Sequence, residues 1–369
     1  MNSIGLYLHI PFCRSKCPYC DFYSKRTTET EMDLYCDALR RDMAKSCKAL
    51  QTEYECKADT LYIGGGTPSV LGAKRLKSLI LAAKQDFLTA DAEITVECNP
   101  YKLSVDFFQD LAAVGVNRIS LGLQSAVETE RRALGRLSSR AEVGTVVRSA
   151  QNVGIQNISL DVMLGIPDQT EQSLSETLDF CLSLGVPHIS AYILKLEENT
   201  VFYKRRAQYN FPNDDQTADL YLQMCETLDR GGLQQYEISN FAKIGAQSRH
   251  NLKYWHCEGY LGLGPAAHSF LYGKRFYFPR DLDGFLNGNA PVPDGNGGDF
   301  QEYAMLALRL REGLRETAVQ ERFGHKIPEA LRQRCAPLAA HGLLIADENG
   351  IRLTRNGFLI SNAVLAEIL

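Results

Sequence analysis

Three cysteines near the amino-terminus are the residues most clearly suited to chemistry. Cys13, Cys17 and Cys20 are spaced CX3CX2C within eight residues, directly after the apolar run of residues 4–10. This run is rich in β-branched and aromatic residues, which predicts a buried strand. Prolines in the following segment prevent a continuous helix. The spacing therefore predicts a loop that can wrap around a metal centre.

Three thiolates so close in sequence can ligate one metal centre, and two kinds of centre fit them. An iron–sulfur cluster usually takes four cysteines, so three would leave one iron open to a substrate or cofactor. A zinc site is the alternative, with His9 or a distant residue as the fourth ligand. Three unrelated thiols are a further alternative. The spacing favours the cluster and leaves the other two interpretations open.

Composition excludes several classes of partner. The chain has 369 residues, of which 45% are hydrophobic and 23% charged, as in ordinary globular proteins. Its formal net charge of −4 provides no general attraction for nucleic acid or anionic lipid. No apolar run approaches the ~20 residues of a membrane span, and no basic segment leads into a signal core. We therefore expect a cytoplasmic protein without nucleic-acid partners or a membrane span, while peripheral membrane association stays open.

Strands and helices alternate through the first half of the chain. Six apolar segments predict strands, which cover residues 4–10, 59–63, 93–97, 118–122, 158–163 and 188–194. Amphipathic helices between them predict right-handed βαβ units and a parallel sheet. Six units are too few for a closed eight-stranded barrel. We therefore predict an α/β fold with a partial, open (β/α)6 barrel of the TIM type.

The rest of the chain predicts further units. A core domain is expected over residues 1–235 and a connecting region over residues 236–290. The segment 287–298, NGNAPVPDGNGG, predicts a loop or linker. Helices and a strand pair beyond it predict a smaller α+β, mainly helical domain over residues 291–369. From Phe300 onward there are nine Lys and Arg and eight Asp and Glu, which favours a packing or partner-docking domain over nucleic-acid binding.

Polar residues fall at or just after the predicted strand ends: Gly64–Pro68, Glu97, Gln124, Arg136 and Asp161. In parallel α/β sheets, ligands bind beyond the carboxyl ends of the strands. The glycine run lacks the lysine of a phosphate-binding loop and the spacing of a dinucleotide fingerprint. Each residue alone is also explained by a cap or a tight turn. Together they suit a polar zwitterionic cofactor, with Arg136 placed to bind its carboxylate.

The cysteine loop resembles that of the radical S-adenosylmethionine (SAM) superfamily. The flanking sequences YLHIPFC and CPYCDF narrow the resemblance to the branch of oxygen-independent coproporphyrinogen III dehydrogenase (HemN) and its relatives. Where the dehydrogenase has a further cysteine, this chain has Phe22, as in the heme chaperone subfamily, HemW. The resemblance implies a [4Fe-4S] cluster on Cys13, Cys17 and Cys20, with SAM on the open iron. The SAM contacts that it implies are Tyr7, Tyr19, Gly65, Gly66, Thr67, Glu97, Gln124, Arg136 and Asp161.

A second group of residues, HNLKYW at 250–255, precedes a glycine-rich turn that ends at His268. Spacing alone favours an aromatic edge with a hydrogen-bonded histidine. The resemblance implies a heme-binding segment, because HNXXYW is a hallmark of the heme chaperone subfamily. An imidazole can ligate heme iron axially, so His250 is the predicted ligand and His268 the reserve. The other implied heme contacts are Asn251, Tyr254 and Trp255.

The resemblance implies a protein that carries heme as cargo to apo-hemoproteins such as respiratory enzymes, with flavodoxin or ferredoxin as reductant. It leaves open whether SAM is cleaved to a 5′-deoxyadenosyl radical, and hence whether the protein is an enzyme. Two alternatives remain. Coproporphyrinogen III dehydrogenase, which decarboxylates two propionates, is opposed by Phe22 and by the short segment of twelve residues before Cys13. A zinc-stabilised binding module is the other.

Overall fold

The computed structural model describes residues 3–369, and a parallel sheet built from the first six strands lies at its centre. Each strand pairs in parallel with the next one along the chain. The strands are β1 (Ser3–Ile10), β2 (Lys57–Gly65), β3 (Leu88–Cys98), β4 (Arg118–Gln124), β5 (Asn157–Leu164) and β6 (His188–Ile193). All six predicted strands are confirmed.

Helices connect these strands. They are α1 (Glu29–Tyr54), α2 (Gly72–Asp86), α3 (Val105–Ala113), α4 (Glu128–Ala133), α5 (Arg140–Asn152) and α6 (Glu171–Ser183), and a 3-10 helix (Pro68–Leu71) leads into α2. Thr28, Ser139 and Thr170 begin α1, α5 and α6 with capping boxes. Such caps satisfy the free amides of the first turn and fix where a helix begins. They therefore also fix the length of the preceding loops, which carry the predicted site residues.

The two faces of the sheet have opposite character. On β4, Ile119, Leu121 and Leu123 belong to the hydrophobic core formed with the helices. Between them Ser120 points into the barrel, where it donates a hydrogen bond of 3.0 Å to Asp161 on β5. Successive side chains of a strand point to opposite faces. The face toward the helices is therefore apolar, and the barrel interior is polar.

The sheet continues beyond these six strands at both edges. The added strands are β7 (Gln234–Gln235), β8 (Asn240–Ala242), β9 (Tyr260–Leu263), β10 (His268–Leu271), β11 (Lys274–Tyr277) and β12 (Val292–Asn296). Strand β9 pairs in parallel with β1, which gives a seventh parallel strand that the sequence did not predict. The full order is β12-β11-β10-β9-β1-β2-β3-β4-β5-β6-β8-β7. Since β12 and β7 are separate edges, the barrel is open, as predicted.

Four further helices accompany the added strands: α7 (Val201–Lys204), α8 (Asp214–Arg230), α9 (Arg249–Trp255) and α10 (Leu282–Leu286), with a 3-10 helix at Arg206–Gln208. The segment 287–298 was predicted to be a loop, yet it contains β12. Strand β12 pairs with β11, with Val292 opposite Tyr277. Its residues are all exposed. The sequence does not predict this edge strand, because the segment is rich in turn residues and has no apolar alternation. The strand forms through its pairing with β11.

Residues after 298 form a smaller unit with its own sheet, in the order β13-β15-β14. Its elements are α11 (Phe300–Ala307), β13 (Leu314–Arg315), α12 (Glu316–Phe323), α13 (Glu329–Ala340), β14 (Leu344–Asp347), β15 (Gly350–Leu353), α14 (Arg355–Leu359) and α15 (Ser361–Ile368). The predicted helices and strand pair are present. The domain boundaries at residues 235 and 290 stay predictions. None of the helices within residues 3–369 has both the length and the apolar character needed to cross a membrane.

Candidate cluster and cofactor site

A cavity of about 600 Å³ opens at the carboxyl ends of the parallel strands. The cysteine loop forms one wall, and the glycine turn after β2 lies beside it. The ends of β3 to β6 complete the floor. The cavity brings together most of the predicted cluster and SAM residues, namely Cys13, Cys17, Tyr19, Cys20, Gly65, Gly66, Thr67, Glu97, Gln124, Arg136 and Asp161. One composite site at this edge was predicted from the strand ends alone.

The three clustered cysteines differ from the other cysteines of the chain. Their thiols are partly exposed to the cavity, whereas the remaining eight cysteines are buried, and none of the eleven forms a disulfide within the described residues. Cys13 Sγ lies 3.3 Å from the hydroxyl of Thr67, and the amide of Cys20 donates to the carbonyl of Cys17 at 3.2 Å. Within residues 3–369 no three His, Cys, Asp or Glu side chains surround a single point as ligands of one metal ion. The three thiols therefore face the cavity separately, from one loop.

A small hydrophobic cluster, separate from the main core, holds this loop from outside. Its four buried side chains are Leu134, Met163, Ile166 and Phe202. Phe202 lies in the segment 194–211, which we term the strap. The amide of Phe202 donates to the carbonyl of Pro18 at 2.9 Å, and the rings of Phe202 and Tyr19 lie 6.4 Å apart. The strap therefore positions the chain between Cys17 and Cys20.

Close packing of backbone explains the glycines of the turn after β2. A Cβ on Gly66 would lie 2.7 Å from the carbonyl oxygen of Phe12. Gly65 has a φ of +110°, which favours glycine. The amides of Gly66 and Thr67 donate to the carbonyls of Ile10 and Phe12, both at 2.8 Å. The turn is thus pressed against the start of the cysteine loop, and any larger residue at position 66 would separate them.

Two carboxylates at the floor of the cavity, Glu97 and Asp161, form no ion pair within the described residues. Glu97 accepts hydrogen bonds from the hydroxyl of Tyr62 at 2.8 Å and from the amide of Gly65 at 3.1 Å. Burial still raises the pKa of Glu97 to about 7, and repulsion by Asp161 adds to this effect. Burial likewise raises the pKa of Asp161 to about 6, against the hydrogen bond from Ser120. Both groups are suited to bind hydroxyls or a cation that enters the cavity.

Arg136 supplies a guanidinium group on the same cavity. Its Nη2 donates to the carbonyl of Gly122, and its buried Nε has no hydrogen-bond partner. A buried unpaired donor of this kind is costly unless a ligand satisfies it. Gln124, at the end of β4, has a φ of +72°, a strained conformation for a residue other than glycine. The donor set fits a ligand that carries a carboxylate, such as the methionine part of SAM.

Arg118 lies beneath this floor, and the sequence analysis missed it. It is buried at the start of β4, level with Thr95 on β3 and Asn157 on β5. Within residues 3–369 no carboxylate lies within 4.0 Å of it, and its Nε has no partner. Its charge lowers the pKa of both Glu97 and Asp161 and so offsets part of the effect of burial. An arginine that opens a predicted strand gives no sign in sequence that it points inward.

Tyr7 is the one predicted SAM contact that does not line the cavity. It lies on β1 just below the floor, where its hydroxyl is 3.1 Å from Nδ1 of His9. The other ring nitrogen of His9 lies 3.2 Å from the carbonyl of Tyr23 in the cysteine loop. Tyr7 and Tyr62 lie side by side, with ring centroids 6.2 Å apart. A contact from Tyr7 to a ligand would therefore be made from below the floor.

The residues of the HNLKYW segment lie at the opposite end of the barrel. They form α9, and His250 is fully buried beneath Tyr62, with ring centroids 5.2 Å apart. Its two ring nitrogens lie 2.8 Å from the hydroxyl of Thr60 and 2.8 Å from that of Tyr254. Burial and the nearby Lys253 lower the pKa of His250 to about 3, so its ring is neutral. In this conformation neither ring nitrogen is free for iron.

The remaining predicted heme contacts are less enclosed. Asn251 and Trp255 are half-buried on α9, and the Asn251 amide donates to the Ser248 hydroxyl at 3.3 Å. His268 is exposed on β10, where its ring stacks on Tyr277 with centroids 5.2 Å apart. The structure therefore brings the cluster and SAM residues together and leaves the predicted heme residues apart from them.

The strap leads to a prediction for Phe202→Ala. Replacing a buried phenylalanine with alanine lowers the free energy of unfolding by about 3–5 kcal/mol. Here the substitution weakens the hydrophobic cluster that holds Pro18 in place. We expect a lower free energy of unfolding in urea and faster loss of iron and sulfide after anaerobic reconstitution. Val201→Ala, an exposed change on the same helix, is the control and should leave both unchanged. Wild-type iron retention in Phe202→Ala would contradict the role of the strap.

The floor carboxylates predict that SAM affinity depends on pH. The pKa values of about 7 for Glu97 and about 6 for Asp161 mean that both are ionised at pH 8 and largely protonated at pH 5.5. Protonation removes the charge that would bind SAM. We expect affinity to fall as pH decreases, by up to about tenfold for each pH unit below the pKa of Glu97. Calorimetry at both pH values measures this change.

The ligand-free protein should respond to pH in the opposite direction. Because burial raises the pKa of Glu97 above its usual 4.5, this residue favours folding most below pH 4.5 and loses that contribution as pH rises through 7. Glu97→Gln should therefore make ligand-free protein more stable at pH 8 and weaken SAM binding there. Equal SAM affinity of the wild type at pH 8 and pH 5.5, with iron content intact, would contradict the interpretation.

The open parallel sheet, the cysteine loop at its carboxyl edge and the glycine turn beside that loop define the radical SAM class. The model of the Radical SAM superfamily matches residues 7–181, and that of the HemN C-terminal domain matches residues 300–360. The solved structure of coproporphyrinogen III oxidase (HemN) from Escherichia coli, described as a radical SAM enzyme, superposes with a TM-score of 0.85. That match covers 100% of this chain and 90% of the other at 23% identity, which shows the shared fold.

Curated relatives match nearly the whole chain. Heme chaperone HemW from Escherichia coli (strain K12) is 39% identical over 99% of this chain and 98% of its own. Heme chaperone HemW from Bacillus subtilis (strain 168) is 33% identical over 98% of each chain. The chain therefore belongs to the heme chaperone HemW family of the radical SAM superfamily.

Proposed function

We propose that this protein is a radical SAM heme chaperone, which binds heme and delivers it to apo-hemoproteins. The observation that carries the proposal is the assembled cavity, in a chain whose curated relatives of equal length are heme chaperones. Phe22 occupies the place of the further cysteine of the dehydrogenase, which disfavours coproporphyrinogen III as substrate. Family membership likewise does not favour a zinc-stabilised module.

The radical SAM family implies a [4Fe-4S] cluster and SAM, and the residues of the cavity fit both. Cys13, Cys17 and Cys20 would hold the cluster, since among the cysteines that line the cavity only these three are partly exposed, whereas Cys98 is buried. Arg136 would bind the SAM carboxylate through its unpartnered Nε. Glu97 and Asp161 would bind the ammonium or ribose hydroxyl groups. Bound together, cluster and SAM supply one-electron chemistry, while the chain positions SAM and excludes water from it.

The partners follow from the same proposal. The recipients would be apo-hemoproteins of respiration, and flavodoxin or ferredoxin would reduce the cluster, in the cytoplasm. The residues His250, Asn251, Tyr254 and Trp255 stay predicted heme contacts on the resemblance alone, with His268 in reserve. Ligation by His250 would require one of its hydrogen bonds to break and α9 to move.

The cluster assignment predicts three equivalent variants. Cys13→Ala, Cys17→Ala and Cys20→Ala should each abolish the cluster, because each removes one of the three thiols that face the cavity. Cys36→Ala and Cys335→Ala are matched controls, since both residues are buried in the core and neither lines the cavity. Iron and sulfide analysis with electron paramagnetic resonance after anaerobic reconstitution measures the result. Wild-type iron content in any one of the first three variants would contradict the assignment.

The function predicts a second result on the wild-type protein. It should bind heme, with a Soret band that saturates on titration, both with and without the cluster. It should also fail to convert coproporphyrinogen III when cluster, SAM and reductant are all present. Absorption titration and chromatography of porphyrin products measure these properties. Turnover of coproporphyrinogen III without heme binding would overturn the proposed function and restore the dehydrogenase.

A further inference from the structure

Exposed apolar side chains surround the mouth of the cofactor cavity. Phe22 is 68% exposed, Leu137 is 60% exposed and Ile193 is 44% exposed, and all three line the opening. They belong to three separate segments: the cysteine loop, the loop after α4 and the end of β6. No packing within the fold hides them. Exposed apolar groups that converge on one opening mark a binding site rather than scattered surface.

Cations border the same opening. Arg14 and Lys16 lie between Cys13 and Cys17 in the loop, and both line the cavity. Within the described residues, no carboxylate lies within 4.0 Å of either. Of the other cations that line the cavity, Lys195 is paired with Glu197 at 2.7 Å and Arg280 with Asp21 at 3.7 Å, while Arg136 is the proposed partner of the SAM carboxylate. Two unpaired positive charges therefore stand next to an apolar rim.

We infer that this mouth, formed by Phe22, Leu137 and Ile193 with Arg14 and Lys16, is the docking site for heme. The inference rests on the proposed function and names the place of its cargo. The heme macrocycle is a flat apolar surface that suits a rim of aromatic and aliphatic side chains. Its two propionates are anions that suit the unpaired cations on one side.

The geometry separates this site from the HNLKYW segment. His250 lies at the amino-terminal end of the barrel strands, fully buried, with both ring nitrogens hydrogen bonded. The mouth lies at the carboxyl end, beyond the layer of Tyr62 and Glu97. One heme molecule cannot contact both places in this conformation. Docking at the mouth therefore leaves His250 in its structural hydrogen bonds.

Heme at the mouth would cover the cofactors beneath it. The macrocycle would narrow the opening of the cavity above Glu97 and Asp161. Heme should therefore slow the dissociation of SAM without displacing it. This coupling gives a second measurement, independent of heme affinity.

The experiment compares two pairs of substitutions in the full-length, cluster-containing protein. Phe22→Ala with Leu137→Ala removes the rim. Leu81→Ala with Ile244→Ala removes residues that are 52% and 87% exposed and lie outside the cavity. Titration with hemin, followed by the Soret band, should show affinity that is roughly 10- to 100-fold weaker for the rim pair. The control pair should match the wild type, and iron and sulfide analysis should show intact clusters in both.

Further variants test the charges and guard against misfolding. Wild type should bind hemin more tightly than its dimethyl ester, and Arg14→Gln with Lys16→Gln should remove that preference. Phe22→Trp should retain affinity, because it keeps an aromatic face. Ile193→Ala, outside the cysteine loop, should weaken hemin binding on its own. It therefore tests the rim even if the Phe22 variant assembles its cluster poorly.

The outcomes separate this inference from the function on which it rests. If hemin binds the wild-type protein and slows its release of SAM, and if the rim pair loses both effects, the results support docking at the mouth. Unchanged hemin affinity in the rim pair and in Ile193→Ala overturns it and leaves the chaperone function standing. Loss of hemin binding in His250→Ala alone, with SAM affinity intact, overturns it in favour of α9. Absence of hemin binding by the wild type refutes the proposed function itself.

Discussion

The structure depends on keeping polar and apolar side chains on opposite faces of one open parallel sheet. Residues such as Ile119 and Leu121 bury one face of each strand against helices. The alternate residues then face a barrel interior that bulk water reaches poorly, so hydroxyls and charges there must satisfy one another. Where this network ends, at Glu97, Asp161 and Arg136, charges and a donor remain uncompensated. The site can bind a ligand because these uncompensated charges and this unpaired donor are available to it.

Much of the fold and the site could be predicted from sequence, because two local signals were strong. Alternation of apolar strands with amphipathic helices located all six strands, and strand ends placed Glu97, Gln124 and Asp161 at one edge. The cysteine spacing and the residues beside it identified the loop. Each of these signals depends on residues close together in the chain. The structure confirms the six strands and brings the predicted site residues to one cavity, while their roles stay predictions.

The rest could not be predicted, since it depends on contacts between distant residues. The pairing of β9 with β1 and of β12 with β11 leaves no periodic pattern in either added strand. Phe202 reaches Pro18 from far along the chain, and nothing local marks it. Likewise His250 gives the same sequence signal whether it ligates iron or bonds to Thr60. A residue type suggests chemistry, but its partners decide whether that chemistry is available.

The strap adds a consequence for how the protein responds to damage. Its hydrophobic cluster contains four buried side chains and is separate from the main core, so it can open while the barrel stays folded. Local opening of this kind requires less free energy than global unfolding. Loss of the [4Fe-4S] cluster would remove a constraint on the cysteine loop, and the strap would then open more often. We expect amide hydrogen exchange and proteolysis to begin in the strap, so both would report the loss of the [4Fe-4S] cluster before the barrel unfolds.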